Sequence, residues 1–420
     1  MKKITYYTIA YITVLLLFNS TQITAQNSDI YEELKGKIVD ANTNTPLMFT
    51  DIIITNSNIS TVTNTDGEFL LKIPITLLDS TLSISHLGYE KTALKISGIK
   101  SNKKIKLTPA LTTLNTIKIT ATTKDARQIV IKTLKKKSSI YNNKNTIMTA
   151  FYRETIKKRR KNASLSEAVV KIHKQPYNNF KNDHIELIKA RKNTDYSKLD
   201  TLALKLQGGP FSNLYTDIIK YPEFIFTSND IPLYNFSFGN STLINNREIL
   251  VINFKQKGNI KTPLYYGKLY IDAETLALTN AVYRLNISNR ELSSKMFVRK
   301  KPKKVDVYPT EAAYRVNYRT TNGKWHYAYS NIALTFKVNW KGKLFNSTYT
   351  LSSEMAVTDW QLNTTKLAKT RTTLIRPNTI LSDKTSGFSD PEFWGSYNII
   401  EPEKSIESAI KKIQKQLKRT

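Results

Sequence analysis

Between Leu34 and Leu107 the apolar residues recur at alternate positions in five short runs, separated by turn-forming residues. Phe69, Leu71 and Ile73 fall on one face of one run, and Leu82 and Ile84 repeat the pattern in the next. This is the period of a strand with one buried side, so the runs predict a small β-sandwich whose second sheet closes the first. Gly67 after Asp66 supplies the positive φ of a tight hairpin turn, and Pro46 leads from a polar run into the next strand without needing an amide donor. Each landmark has a backbone reason, so none requires a catalytic one.

Beyond residue 108 the pattern loosens. A Thr-rich stretch ending in Asn115–Ala121 predicts a last strand leaving the sandwich, with a boundary near residue 122. Asp125–Tyr141 carries Ile129, Leu134 and Ile140, with Asp125 at its start and Lys135–Lys137 late, which predicts a helix whose charges complement its dipole. Met148–Ile156 and Ala168–His173 read as two strands around the cationic run Lys157–Lys161, either a solvated hairpin tip or an anion-binding patch. Residues 183–227 read as mixed, with a helix over Asp183–Arg191 and a plain turn at Gly208-Gly209-Pro210, which lacks the Gly-Lys-Ser/Thr of a nucleotide loop.

From Tyr234 to Trp360 strands dominate: Phe236–Phe238, Ile249–Phe254, Tyr265–Ile271, Leu276–Ile287, Arg315–Arg319, Ala328–Val338 and Phe345–Ser352. Turn signals such as Lys257-Gly258-Asn259, Asn322-Gly323 and Lys341-Gly342-Lys343 separate them at hairpin distances, predicting one large antiparallel sheet. Asp390–Asn398 reads as an aromatic strap over that sheet. In the tail from Glu403, Ile406, Ile410, Ile413 and Leu417 share one face of an amphipathic helix with lysines opposite, a face suited to its own domain or to an anionic membrane surface. The expected fold is mainly β with some α. The expected division is a signal peptide at 1–25, a sandwich at 34–122, a mixed α/β segment at 125–229, and a sheet domain with the C-terminal helix at 230–420.

The order Gly36-Lys-Ile38-Val-Asp40, Pro46-Leu47, Thr65-Asp66-Gly67-Glu-Phe69 and Gly88-Tyr89 resembles the carboxypeptidase regulatory-like domain, a transthyretin-like β-sandwich frequent in exported proteins of the Bacteroidetes. In zinc carboxypeptidases that module stands beside the catalytic domain, and in outer-membrane receptors it precedes the plug, so the resemblance implies export rather than hydrolysis. Tyr266-Gly267-Lys-Leu-Tyr-Ile271-Asp272, with the strand Ala277–Leu285, is similar to the lipoprotein-carrier-like half-barrels of the bacterial envelope, in which a curved sheet holds acyl chains under a helical lid.

Composition then narrows the function. Lys2 and Lys3, an apolar core from Ile9 to Phe18 and Ala25 have the layout of a secretory signal peptide, and the core is too short and too polar at Tyr11 and Thr13 for a membrane span. The absence of cysteine excludes disulfides, cysteine catalysis and a lipid-modified cysteine at the cleavage site. The chain has 64 basic and 33 acidic residues, a net charge of +31 that suits an envelope surface of lipid phosphate, or acidic polysaccharide, or serves only as solvated filler. Nucleic acid is excluded as a partner by export and by the lack of any recognisable binding module.

His86, His173, His184 and His326 are scattered without a zinc-binding spacing, and no Gly-x-Ser-x-Gly elbow occurs. No catalytic, cofactor-binding or metal residue is therefore assigned. The sequence reading is a non-catalytic envelope protein of a Gram-negative bacterium, whose sheet domain binds an envelope lipid or an outer-membrane protein. The alternatives are a peptidase or glycosidase with an accessory sandwich, and an adhesin for anionic surface polysaccharide.

Overall fold

The structure, a computed structural model, describes residues 30–110, 125–159, 161–194, 207–227, 229–244, 247–299, 301–342, 344–363, 373–385, 392–404 and 406. The segment expected as a signal peptide, the strand expected at Asn115–Ala121 and nearly all of the expected C-terminal helix lie outside the described residues.

The N-terminal strands are β1 (Tyr31–Asp40), β2 (Asp51–Ile54), β3 (Ser60–Val62), β4 (Glu68–Pro74), β5 (Thr81–Ser85), β6 (Thr92–Lys95) and β7 (Lys103–Leu107). They form a three-stranded sheet, β4-β1-β7, packed on a four-stranded sheet, β3-β2-β5-β6. Ile38, Ile52, Ile54, Phe69, Leu71, Leu82 and Ile84 fill the space between them. The sequence landmarks meet in pairs. Gly36 lies opposite Phe69 in the β1–β4 ladder, and a Cβ at Gly36 would come within 2.6 Å of the Phe69 ring. Asp40 accepts from the amides of Asn42 and Thr43 and, at 2.7 Å, from the Tyr89 hydroxyl. The Thr43 amide and the Tyr89 hydroxyl hold its carboxyl down at about 2.

The second part begins with α1 (Ala126–Lys135) and α2 (Lys137–Ile140), followed by β8 (Thr146–Lys158), β9 (Lys161–Lys174), β10 (His184–Thr194) and α3 (Pro210–Leu214). Next come β11 (Tyr234–Phe238), β12 (Thr242–Ile244), β13 (Arg247–Gln256), β14 (Tyr265–Asp272) and β15 (Leu278–Leu285). After α4 (Arg290–Phe297) come β16 (Val305–Thr321), β17 (Lys324–Trp340), β18 (Ser347–Leu362) and the short β19 (Leu374–Ile375). These twelve strands make one sheet, ordered β11-β13-β14-β15-β16-β17-β18-β8-β9-β10-β19, with β12 paired to β13. Every pairing in it is antiparallel. As expected, the Asp125 side chain caps α1 by accepting from the Arg127 amide.

Three elements differ from the sequence reading. Asp183–Arg191 is not a helix but mostly strand β10. A register shift between Leu187 and Lys189 puts Ile185, Leu187 and Ala190 against the same core, a spacing that breaks the two-residue period. The strand expected at Arg315–Arg319 is the last third of β16, whose earlier alternation is interrupted by a second shift between Pro309 and Glu311. Phe345 and Asn346 stand exposed in the turn before β18 rather than inside it.

Candidate functional site

One face of the large sheet is covered by α1 and by the described residues 207–227 and 229–233 ahead of β11. Two glycines start this covering segment. Gly208 and Gly209 have φ of +102° and +51°, and a Cβ on Gly208 would meet the Ser212 hydroxyl at 2.3 Å. Pro210 then opens α3 at a position where its missing N–H costs nothing. Phe211, Leu214, Ile218, Ile219, Tyr221, Ile225 and Phe226, none more than 4% exposed, pack against Met148, Tyr152, Val170, Ile252, Leu269 and Tyr283 of the sheet.

A polar lock crosses this apolar contact. The Lys174 ammonium, at the end of β9, donates to Asp183 and to Asp217, each at 2.7 Å, and all three side chains are essentially inaccessible to water. Tyr177 and Tyr318 donate to the two oxygens of Asp217 at 2.9 Å, and Tyr221 donates to Asp183 at 2.7 Å. Burial alone would lower the Lys174 pKa, but the two aspartates outweigh it and hold the ammonium above its ordinary value. Burial, reinforced by Asp217, pushes Tyr177 far up, so its hydroxyl stays a donor. Nearby, Asn213 of α3 binds Ser330 and Ser353, and Lys220, lowered by burial to about 8, donates to the carbonyls of Pro176 and Asn179. Glu154, also on this side, accepts from Tyr152 at 2.8 Å and is raised by burial to about 7.

The opposite face carries the sandwich. Val62 and Leu70 of the sandwich, Phe151, Val169, Tyr329 and Ala356 of the sheet, and Trp394, Ile399 and Ile400 form one apolar cluster. Residues 392–398, the described part of the expected aromatic strap, continue through 399–401 between the sandwich and the large sheet. Thr61 donates to the Ile399 carbonyl at 3.1 Å, Asn64 to the Glu401 carbonyl at 3.1 Å, and the Lys72 amide to Asn398 at 2.7 Å. From the sheet, Arg153 binds the Ile400 carbonyl at 2.8 Å and the fully buried Glu167 at 2.8 Å, which Arg191 also clasps. Arg319 reaches directly across to Ser60 and Asp51, both at 2.7 Å. A cleft of about 90 Å³ remains beside the strap, lined by Phe49, Arg153, Lys157, Glu354 and Glu403 among others. It is well below the ~300 Å³ at which small-molecule pockets begin.

His173 and His184 are cross-strand neighbours on β9 and β10, while His86 and His326 stand elsewhere. His86 meets Thr50 in the sandwich, His326 packs on Trp360, and His173 bonds Glu186 at 3.2 Å with His184 opposite it in the ladder. Among the described residues, no three carboxylate or imidazole groups cluster as a metal site. The sequence reading gave none of the lock residues a role at a site, and placed Asp183 at the start of an expected helix. The available signal was Asp217 with Tyr221, a carboxylate and a hydroxyl within the largely apolar run Leu214–Phe226.

Residues 34–120 match the family model of the CarboxypepD_reg-like domain. Solved structures similar to the chain include a domain described as that of an outer membrane lipoprotein-sorting protein from Vibrio parahaemolyticus, at 10% identity over 58% of this chain and 94% of that one, with a TM-score of 0.24. A DUF1329 family protein from Desulfovibrio piger matches at 10% identity over 58% and 93%, with a TM-score of 0.22. A LolA superfamily protein from Nitrosomonas europaea matches at 8% identity over 57% and 94%, with a TM-score of 0.18. Scores this low leave ligand and activity to be argued from the residues. No curated protein matches the chain.

Proposed function

We propose that the chain is a non-catalytic protein of the Gram-negative cell envelope whose sandwich and large sheet act as one fixed unit, binding a protein partner on the outside rather than a lipid inside. The supporting observation is the lock of Lys174 with Asp183 and Asp217, which pins the chain's own segment over the sheet face that a carrier would offer to acyl chains. Lifting that segment would strand a buried charge, at a cost of about 3–5 kcal/mol for one broken partner. The same geometry weighs against a glycosidase, because the two convergent carboxylates are spent on a lysine and three tyrosines away from water. Among the described residues, no helix is long and apolar enough to cross a membrane. Export through the segment at residues 1–25, and the division at residue 122, belong to this proposal.

Native mass spectrometry of protein purified from membranes in mild detergent tests it. The expected spectrum shows the bare chain, or the chain with a protein subunit. A stoichiometric diacyl lipid that survives desolvation would overturn the reading. Fractionation with protease shaving of whole cells would place the protein in the envelope, and a cytoplasmic location would remove the proposal entirely.

A further inference from the structure

At one end of the large sheet, three basic segments come together. The β8–β9 turn carries the run Lys157-Lys-Arg-Arg-Lys161. The segment entering β16 reads Arg299-Lys-Lys-Pro-Lys-Lys304, and the β17–β18 turn reads Lys341-Gly-Lys-Leu-Phe345. Their register puts them side by side: Lys158 pairs with Tyr349, Ser347 with Val338, Trp340 with Val305, and the Lys341 amide donates to the Lys304 carbonyl at 2.9 Å. The five adjacent strands β16-β17-β18-β8-β9, at a spacing of about 4.8 Å, set these turns along a line of roughly 20 Å.

Apolar side chains project from the same line. Leu344 is 89% exposed and Phe345 75% exposed at the β17–β18 turn, and Met296 is half exposed on α4, which packs on β16. Beneath them the end is rigid, because Val305, Val307, Phe336, Val338 and Tyr349 form a closed core with Phe297 of α4. Two large apolar residues exposed in one turn, above a closed core and between blocks of cations, are costly in water. They are matched to an interface with phosphate outside and hydrocarbon beneath.

We propose that this end of the sheet docks on the surface of an anionic phospholipid bilayer, with Leu344 and Phe345 entering the headgroup boundary and the three basic segments lying on the phosphates. The site is distinct from the covered sheet face, so its failure would leave the function proposed above standing. Charge complementarity selects the occupant: the attraction of lysine and arginine for an anionic leaflet acts within a Debye length, and the exposed turn needs an apolar medium beyond it.

The test is cosedimentation of the full chain with vesicles of phosphatidylglycerol mixed with phosphatidylcholine, against phosphatidylcholine alone. Binding to the anionic vesicles should be at least roughly tenfold tighter, and should fall steeply as salt shortens the Debye length from ~10 Å at 0.1 M towards ~3 Å at 1 M. The triple variant K301E/K303E/K304E should lose that preference. The matched reversal of the exposed sandwich lysines, K103E/K104E/K106E, should keep it. A tryptophan at the turn, F345W, should shift its emission to the blue on binding, and circular dichroism of each variant checks that it is folded. Equal binding to both vesicles, equal losses from the two reversals, or an unshifted F345W emission in the bound state would each overturn the proposal. Absence of vesicle binding would overturn it in favour of a protein partner at this end.

Discussion

The two faces of the large sheet are both closed, but by different means. The helix face is covered by a neighbouring stretch of chain, 207–233, pressed on with aromatic and aliphatic side chains and pinned by one internal ion cluster. The sandwich face is covered by a separate folded unit, and there the contact is stitched by side chains reaching main-chain carbonyls of the strap at 399–401. The first contact resembles a domain core and the second an interface between folded parts. The helix face should therefore fail as a whole, and the sandwich face stitch by stitch.

The largest effect should come from the lock. Asp217→Leu removes one counter-charge of Lys174 and the acceptor of Tyr177 and Tyr318, and is expected to cost about 3–5 kcal/mol. Denaturant unfolding with hydrogen exchange should place the loss in the large sheet and leave β1–β7 protected. Equal loss of protection in both parts would erase the distinction between the two faces.

Trp394→Ala attacks the other side by emptying the centre of the sandwich contact, where Trp394 is 4% exposed and packs edge-on against Phe151 at 5.4 Å. About 3 kcal/mol is expected. Here the exchange should rise first at β3, β4 and the strap, with the helix face unchanged.

One pH effect can be assigned to the helix face. Glu154 has an ordinary value of 4.5 and about 7 in the fold, so between these values the folded protein keeps a proton that the unfolded chain releases. Stability from this group is complete below pH 4.5 and is lost as the pH rises towards 7, by roughly 3 kcal/mol. His326, lowered by burial to about 3, slopes the opposite way below pH 6.5. The quantity to measure is therefore the difference between wild type and Glu154→Gln across pH 4.5–7. A difference that does not change with pH would refute the assignment.

The smallest effect tests the stitching. Thr61→Val removes one hydrogen bond to the Ile399 carbonyl and should cost about 1 kcal/mol. A cost as large as that of Trp394→Ala would mean that the sandwich face, too, is a single cooperative core.

These two kinds of closure differ in how well the sequence announced them. The sandwich was legible because its constraints are local or nearly so: the hairpin at Asp66-Gly67 and the strands through Phe69 and Ile84 appear as spacing along the chain. The large sheet was legible as strands and turns, down to Asn322-Gly323, whose φ values of +50° and +73° suit a tight hairpin. The bulges at Ile188 and Thr310 were not, because one inserted residue reverses the faces and imitates another period. The lock was invisible for a different reason. Lys174, Asp183, Asp217 and Tyr318 are spread over 145 positions, and in a chain with 64 cations nothing along the sequence marks Lys174 as a lysine that will be buried.

The strap has a consequence for how the molecule is made. Asn64 waits for a carbonyl 337 residues further along the chain, and Thr61 for one 338 residues away. During synthesis the sandwich can fold early from its own strands, but its seat on the sheet is incomplete until residues 392–401 arrive. A chain ending before residue 392 would keep the direct ties of Arg319 to Ser60 and Asp51 between the two β units, with Val62, Leu70 and Phe151 short of their strap partners. The segment 392–401 thus acts as a late-arriving clasp, and the full seating of the two units against each other waits on it.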